Sequence, residues 1–186
     1  MEMDTVFQTE MSVRRTFQDV VDAFKNSPRD YTPHRFTNIY NEPLVVHPDK
    51  CVAAFQSFGP KQETDGGSRP LFFLQLYREL DIHSRGVAVA IICKIYNKTY
   101  ILAANTSGSL YFKQCEPPKA IEGKSNEIIF YQKRFSTGHR SFRFESSVKK
   151  DFFLGFNTDS EKMLVLKESS CVDVDETIKI FVERSL

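Results

Sequence analysis

The sequence predicts an all-β fold in which three hairpin-bearing units close on one another. Three observations point there. From Arg35 onward the chain is a succession of short apolar runs separated by turn residues. Many of these runs alternate: Phe142 and Phe144 flank Arg143, and Ile178 and Ile180 flank Lys179, the period of a strand with one buried face. A segment also repeats. YILAANTSGSLYFK at 100–113 and FFLGFNTDSEKMLVLK at 152–167 share an aromatic-apolar strand, an Asn-Thr turn and a second strand ending in Lys.

Taken in order, the first thirty residues stand apart. Phe17, Val20, Val21 and Phe24 recur at i, i+3, i+4 and i+7 with charged residues between them, which predicts an amphipathic helix. Ser27-Pro28 ends it, because proline disfavours helix in the residue before it. Residues 1–34 are thus expected to be a short helical leader, detachable from a domain at 35–186. Met1–Glu10 has no basic region, apolar core or small-residue cleavage site, so no conventional secretory signal is expected.

In the domain, strands are predicted at 44–47, 51–55, 71–77, 87–95, 99–104, 109–114, 127–132, 141–145, 151–156, 162–167 and 177–182. Most are rich in β-branched or aromatic side chains, which suit a half-buried pleated surface. Asn105 and Asn157 hold the same place in the two repeats, and Asn favours turns. LVVHPDKCVAAF at 44–55 is a fainter third copy. Three copies at a period of about 50 residues fill the domain. A propeller needs about four or more blades. The pattern therefore predicts a β-trefoil of about twelve strands with pseudo-threefold symmetry, a closed barrel that leaves no sheet edge open.

Composition narrows the function. The 186 residues are 41% hydrophobic with 17 Phe and no Trp, enough for a real core. Lys plus Arg is 25 against 24 Asp plus Glu, without the basic excess of a nucleic-acid or heparin binder. No apolar run approaches the ~20 residues of a membrane span. Cys51, Cys93, Cys115 and Cys171 form no CxxC pair, so mostly buried, reduced thiols are expected, with no metal. The four histidines are scattered, and no hydrolase, metalloprotease or phosphate-loop pattern occurs. Neither enzymatic chemistry nor a cofactor is implied. Asn97 and Asn105 begin glycosylation sequons but read as turn formers. Among trefoils, sugar binders usually repeat Gln-x-Trp, which the absence of Trp removes. Binding to another protein remains.

The last hundred residues resemble the interleukin-1 cytokine family. The resemblance rests on Phe144-Glu145-Ser146-Ser147 followed by Asp151-Phe152-Phe153-Leu154-Gly155, with an apolar strand from Met163. Phe130–Phe135, Val87–Ala90 and Ile178–Val182 are similar to neighbouring family strands. Lys149-Lys150 stands where a proline is typical, and Gly155-Phe156 replaces the usual small residue and Thr.

The resemblance implies a monomeric cytokine, made in the cytosol and released by an unconventional route. It implies docking on the immunoglobulin-like ectodomain of an interleukin-1-type receptor, then recruitment of an accessory receptor chain. It also implies a prosegment removed by a caspase-type protease, after Asp30 or alternatively Asp22. Candidate receptor contacts by position are Arg35, Phe36, Lys119, Lys124, the Lys149-Lys150 turn, and the acidic loop with Asp173 and Asp175. That loop favours an agonist over an antagonist. The competing expectation is an intracellular trefoil that docks on a partner through its leader helix.

Overall fold

The computed structural model describes residues 24–26, 32–57, 71–79, 85–135, 140–169 and 175–185. The strands run β1 (Phe24–Asn26), β2 (Pro33–Thr37), β3 (Leu44–His47), β4 (Val52–Phe55), β5 (Phe72–Glu79), β6 (Val87–Ile95) and β7 (Lys98–Ala104). They continue with β8 (Leu110–Gln114), β9 (Ala120–Ile121), β10 (Phe130–Arg134), β11 (Ser141–Ser146), β12 (Phe152–Phe156), β13 (Leu164–Glu168) and β14 (Ile180–Arg184).

Six of these form a closed ring. β6, β10, β11, β14, β2 and β5 are successive neighbours, and β5 pairs back onto β6 from Phe72 opposite Cys93 to Tyr77 opposite Ala88. Alternate residues point inward. Phe36, Phe72, Val89, Ile91, Phe130, Phe144 and Ile180 are all buried in one cluster. The Phe36 ring stacks at 4.9 Å on Phe72 and at 5.7 Å on Phe144.

The predicted repeats are the three hairpins that attach to one end of this ring: β3–β4, β7–β8 and β12–β13. Asn105 and Asn157 play the same part. Asn105 N donates to Ser109 O at 3.0 Å, and Asn157 N donates to Met163 O at 3.2 Å. The first and third hairpins meet directly. Ala54 bridges Met163, Phe55 N donates to Lys162 O at 3.0 Å, and the Phe55 and Phe156 rings pack edge-on at 5.4 Å. Six ring strands and three hairpins are the β-trefoil the sequence predicts.

Two predicted strand starts move. Residues 127–129 are a turn, because Asn126 Oδ1 accepts from Ile128 N and Asn126 O accepts from Ile129 N. Residues 176–178 are a 3-10 turn capped by Asp175. In both places a side chain supplies the backbone hydrogen bond that a strand partner would otherwise give.

Within the predicted helical leader, residues 24–26 are strand, not helix. β1 pairs with β5, Phe24 opposite Glu79, and with β9, Phe24 opposite Ile121. Phe24 is fully buried in a second apolar cluster outside the barrel, with Tyr77, Ile92, Ile101, Ile121, Ile128 and Tyr131. Tertiary pairing and this apolar cover outweigh the helical spacing of the sequence. Phe17, Val20, Val21, Asp22 and Asp30 lie outside the described residues. The thiols also differ from expectation. Among the described residues only Cys93 is buried, and burial pushes its thiol up to about 12. Cys51 and Cys115 are exposed, Cys51 in the left-handed position that ends a 3-10 turn and Cys115 just past the end of β8.

One buried charge ties barrel strands together. Glu145 on β11 accepts from Arg85 at 2.8 Å, from Lys133 on β10 at 2.7 Å and from Asp151 N at 3.0 Å. Burial alone would raise its carboxyl; the bonds from Lys133, Arg85 and Asp151 overcome this and hold it below the usual value.

Two measurements check this account. Phe24→Ala should cost about 3–5 kcal/mol in equilibrium unfolding of the full chain; a change below about 1 kcal/mol would mean β1 is not seated in solution. Glu145→Gln should cost about 1.5–3 kcal/mol at neutral pH. Because the folded carboxyl is depressed, its contribution is present above the unfolded value of about 4.3 and is lost as pH falls through the folded value. The gap between wild type and variant should therefore close in acid. A gap that stays constant to pH 3 would refute the assignment.

Candidate functional site

The turn between β2 and β3 is built from its own side chains. Asn38 Oδ1 accepts from Tyr40 N at 3.0 Å and from Glu42 N at 2.9 Å. Asn41 takes a left-handed φ of 59°, which Asn tolerates. Asn38 Nδ2 then donates to Glu42 Oε2 at 2.7 Å, and Ser57 Oγ donates to Glu42 Oε1 at 2.9 Å. Lys162, from the turn of the third hairpin, also donates to Glu42. Burial would raise the Glu42 carboxyl; Lys162, Asn38 and Ser57 outweigh that and keep it below its ordinary value, ionised at neutral pH.

This scaffold holds Tyr40 outward. Tyr40 is 59% exposed, yet its ring is fixed edge-on to Phe156 at 6.0 Å, with the Lys162 ammonium 5.3 Å from its centroid. Beside it lies a concavity of about 740 Å³ between the first hairpin and the turn of the third. His47, Gln56, Glu161 and Lys162 give it a polar wall, and Val52 and Met163 add apolar surface. A rigid, half-wet aromatic beside a polar concavity is the composition of a protein-binding surface. No group of acidic, His or Cys side chains among the described residues could hold a metal.

A model of the Interleukin-1 / 18 family matches residues 67–178, more than half of the chain. The chain belongs to the interleukin-1/18 family. Chicken (Gallus gallus) interleukin-18 is 36% identical over 158 residues, covering 81% of this chain and 79% of its own. Mouse (Mus musculus) interleukin-18 is 31% identical over 132 residues, covering 70% of this chain and 65% of its own. The solved structure of chicken interleukin-1 beta is 16% identical with a TM-score of 0.67, covering 87% of this chain and 99% of that one. It shows the shared β-trefoil. As an interleukin-1/18 family member the chain is a cytokine, a signalling protein rather than an enzyme.

The positions expected to meet a receptor fall on separate elements of this interleukin-1/18 family chain. Arg35 is half-buried on β2, in register with Glu183 of β14. Phe36 is 1% exposed in the barrel core, so it offers no surface. It alternates with Arg35, and the two must point to opposite faces. Lys119 and Lys124 are exposed on either side of β9. Lys149 is half-buried. Its ammonium lies 3.8 Å from the Phe152 centroid and donates to Ser107 O at 3.4 Å. Lys150 beside it is exposed. Asp175 is engaged in the fold, accepting from Thr177 N at 2.9 Å and Thr177 Oγ1 at 2.6 Å and pairing with Lys167 at 3.1 Å. Asp173 lies outside the described residues.

Sequence reasoning passed over Tyr40 and Lys162. The signal for Tyr40 was its setting, Asn38 to Pro43, where turn residues surround one aromatic. Its neighbour Lys162 is distant in sequence, and only the threefold arrangement of hairpins joins them.

The scaffold and the exposed ring should separate cleanly by mutation. Asn38→Ala should cost about 1–3 kcal/mol, because it leaves buried Glu42 short of partners. Tyr40→Ala should change stability by less than about 1 kcal/mol. Chemical denaturation of both variants checks this; equal losses would make Tyr40 a structural residue.

Proposed function

We propose that this chain is a released ligand for an immunoglobulin-like interleukin-1-type receptor, and an agonist that recruits an accessory receptor chain. The observation that carries the reading is Tyr40, an aromatic fixed in an exposed position beside a polar concavity on a rigid family barrel. Interfaces concentrate their energy in such anchors. On other elements, Arg35, Lys119, Lys124, Lys149 and Lys150 are candidate rim contacts. Asp175 contributes by shaping its loop, with Asp173 the candidate contact there. Rim charges of this kind govern association rate more than final affinity.

Maturation belongs to the same proposal. The precursor is cytosolic, leaves the cell by an unconventional route, and is cut by a caspase-type protease after Asp30 or Asp22. The two sites differ in consequence. A cut after Asp22 keeps β1; a cut after Asp30 removes it and uncovers the apolar cluster that Phe24 fills. Mass spectrometry of the released form decides between them, and an intact Met1 in active protein would exclude both.

The test is binding of 1–186, 23–186 and 31–186 to a panel of interleukin-1-type receptor ectodomains. At least one form should bind one receptor, and Tyr40→Ala in that form should weaken binding about tenfold or more. Lys149→Ala with Lys150→Ala should weaken it less. Folded protein that binds no receptor would overturn the reading in favour of an intracellular partner.

A further inference from the structure

The end of the barrel opposite the hairpins is open and has a different chemistry. The inward columns of the ring strands run from the hairpin end toward this mouth. On β14 the column reads Ile180, Val182, Arg184; on β11, read backward, it is Phe144, Phe142, Arg140; on β2, read backward, it is Phe36 and His34. Apolar side chains thus give way at the last step to two arginines and a histidine. Between them is a cavity of about 570 Å³, within the range that holds small organic ligands.

Its floor and its rim are distinct. Leu74 and Val182 of the barrel core form the floor, with Leu76 and Phe142 packed against that core. Arg140 and Arg184 form the rim, and both are exposed. Among the described residues, neither guanidinium has an ion pair and no Asp or Glu lines the cavity. Glu183 sits on the alternate face of β14, in register with Arg35. His34 between them is held below its ordinary value by burial and by the Arg184 charge, against an opposing contact with the Thr32 backbone. It is therefore largely neutral at pH 7. The lip is apolar too: Val87, 48% exposed, is the cross-strand partner of rim residue Gln132.

An apolar well under two guanidiniums with no acidic partner among the described residues is complementary to a ligand with one apolar tail and one anionic head. Arginine recognises a carboxylate through paired donors, and the tail gains from burial against the floor. We propose that the barrel mouth is a binding site for a free fatty acid, its carboxylate on Arg140 and Arg184 and its chain on Leu74, Leu76, Phe142 and Val182.

The test uses the full chain, labelled at leucine methyls, titrated with laurate at micromolar, non-micellar concentration. Laurate should shift the Leu74 and Leu76 methyl resonances and bind at least tenfold more tightly than lauryl alcohol. Arg140→Gln with Arg184→Gln should keep the melting temperature and lower laurate affinity at least tenfold. If that double variant misfolds, the wild-type comparison of laurate with lauryl alcohol still decides. Equal affinity for acid and alcohol would overturn the proposal, as would methyl shifts elsewhere or unchanged affinity in a folded double variant. Binding to phosphatidylserine vesicles without binding to monomeric laurate would also overturn it, and would point to a membrane surface.

Discussion

When β5 pairs back onto β6, the six-stranded ring loses both free edges, and every other feature follows from that closure. The inward column of each ring strand faces the same small volume, so it must be apolar. Phe36, Phe72, Phe130 and Phe144 fill that volume with large flat rings, which stack where smaller side chains would leave voids. Phe36 belongs to this set, and Arg35 is thereby turned outward. The surface of the molecule is in this sense a by-product of its interior.

Closure also explains why buried charge is tolerated. Glu145 lies on a ring strand with Lys133 from β10 and Arg85 from the chain entering β6 reaching it from one side, and Asp151 N from its own following turn. An ionised carboxylate in such a place is stable only with several donors. Glu42 repeats the arrangement on a smaller scale between two hairpins, with Asn38, Ser57 and Lys162. Both networks join strands far apart in sequence, and both fix surfaces that face solvent: the Tyr40 ring in one case, the Lys149 turn in the other.

The ring and the hairpins were legible in the sequence because each obeys a local rule. Alternation around Arg143 marks β11, and the shared Asn-Thr of residues 105–106 and 157–158 marks two hairpins. The departures arise where a distant partner decides. Phe24 carries a helical spacing, yet its conformation is set by β5 and β9, which no nearby residue announces. Ala120-Ile121 is too short to leave any pattern. Residues 127–129 are apolar enough for a strand, but the Asn126 side chain captures the backbone first. The site is less legible than the fold. Lysines were visible as charges, but whether a charge is free or engaged depends on packing: Lys149 rests on Phe152, Asp175 is tied to Lys167, and the Tyr40–Lys162 pair exists only in three dimensions.

The pairing of β2 with β14 has a kinetic consequence. Phe36 finds Val182 across almost the full length of the domain, a contact of very high sequence separation. Such contacts are slow to form, because the entropy of closing the loop is lost before the contact is gained. During synthesis the first ring strand is made long before its partner leaves the ribosome, because β14 follows every other ring strand in the chain. Until then β2 and the Phe36 face have no neighbour on one side, and the nascent chain exposes a sticky edge. The faster the chain is made, the more such half-finished rings coexist, and the more that edge favours aggregation over closure.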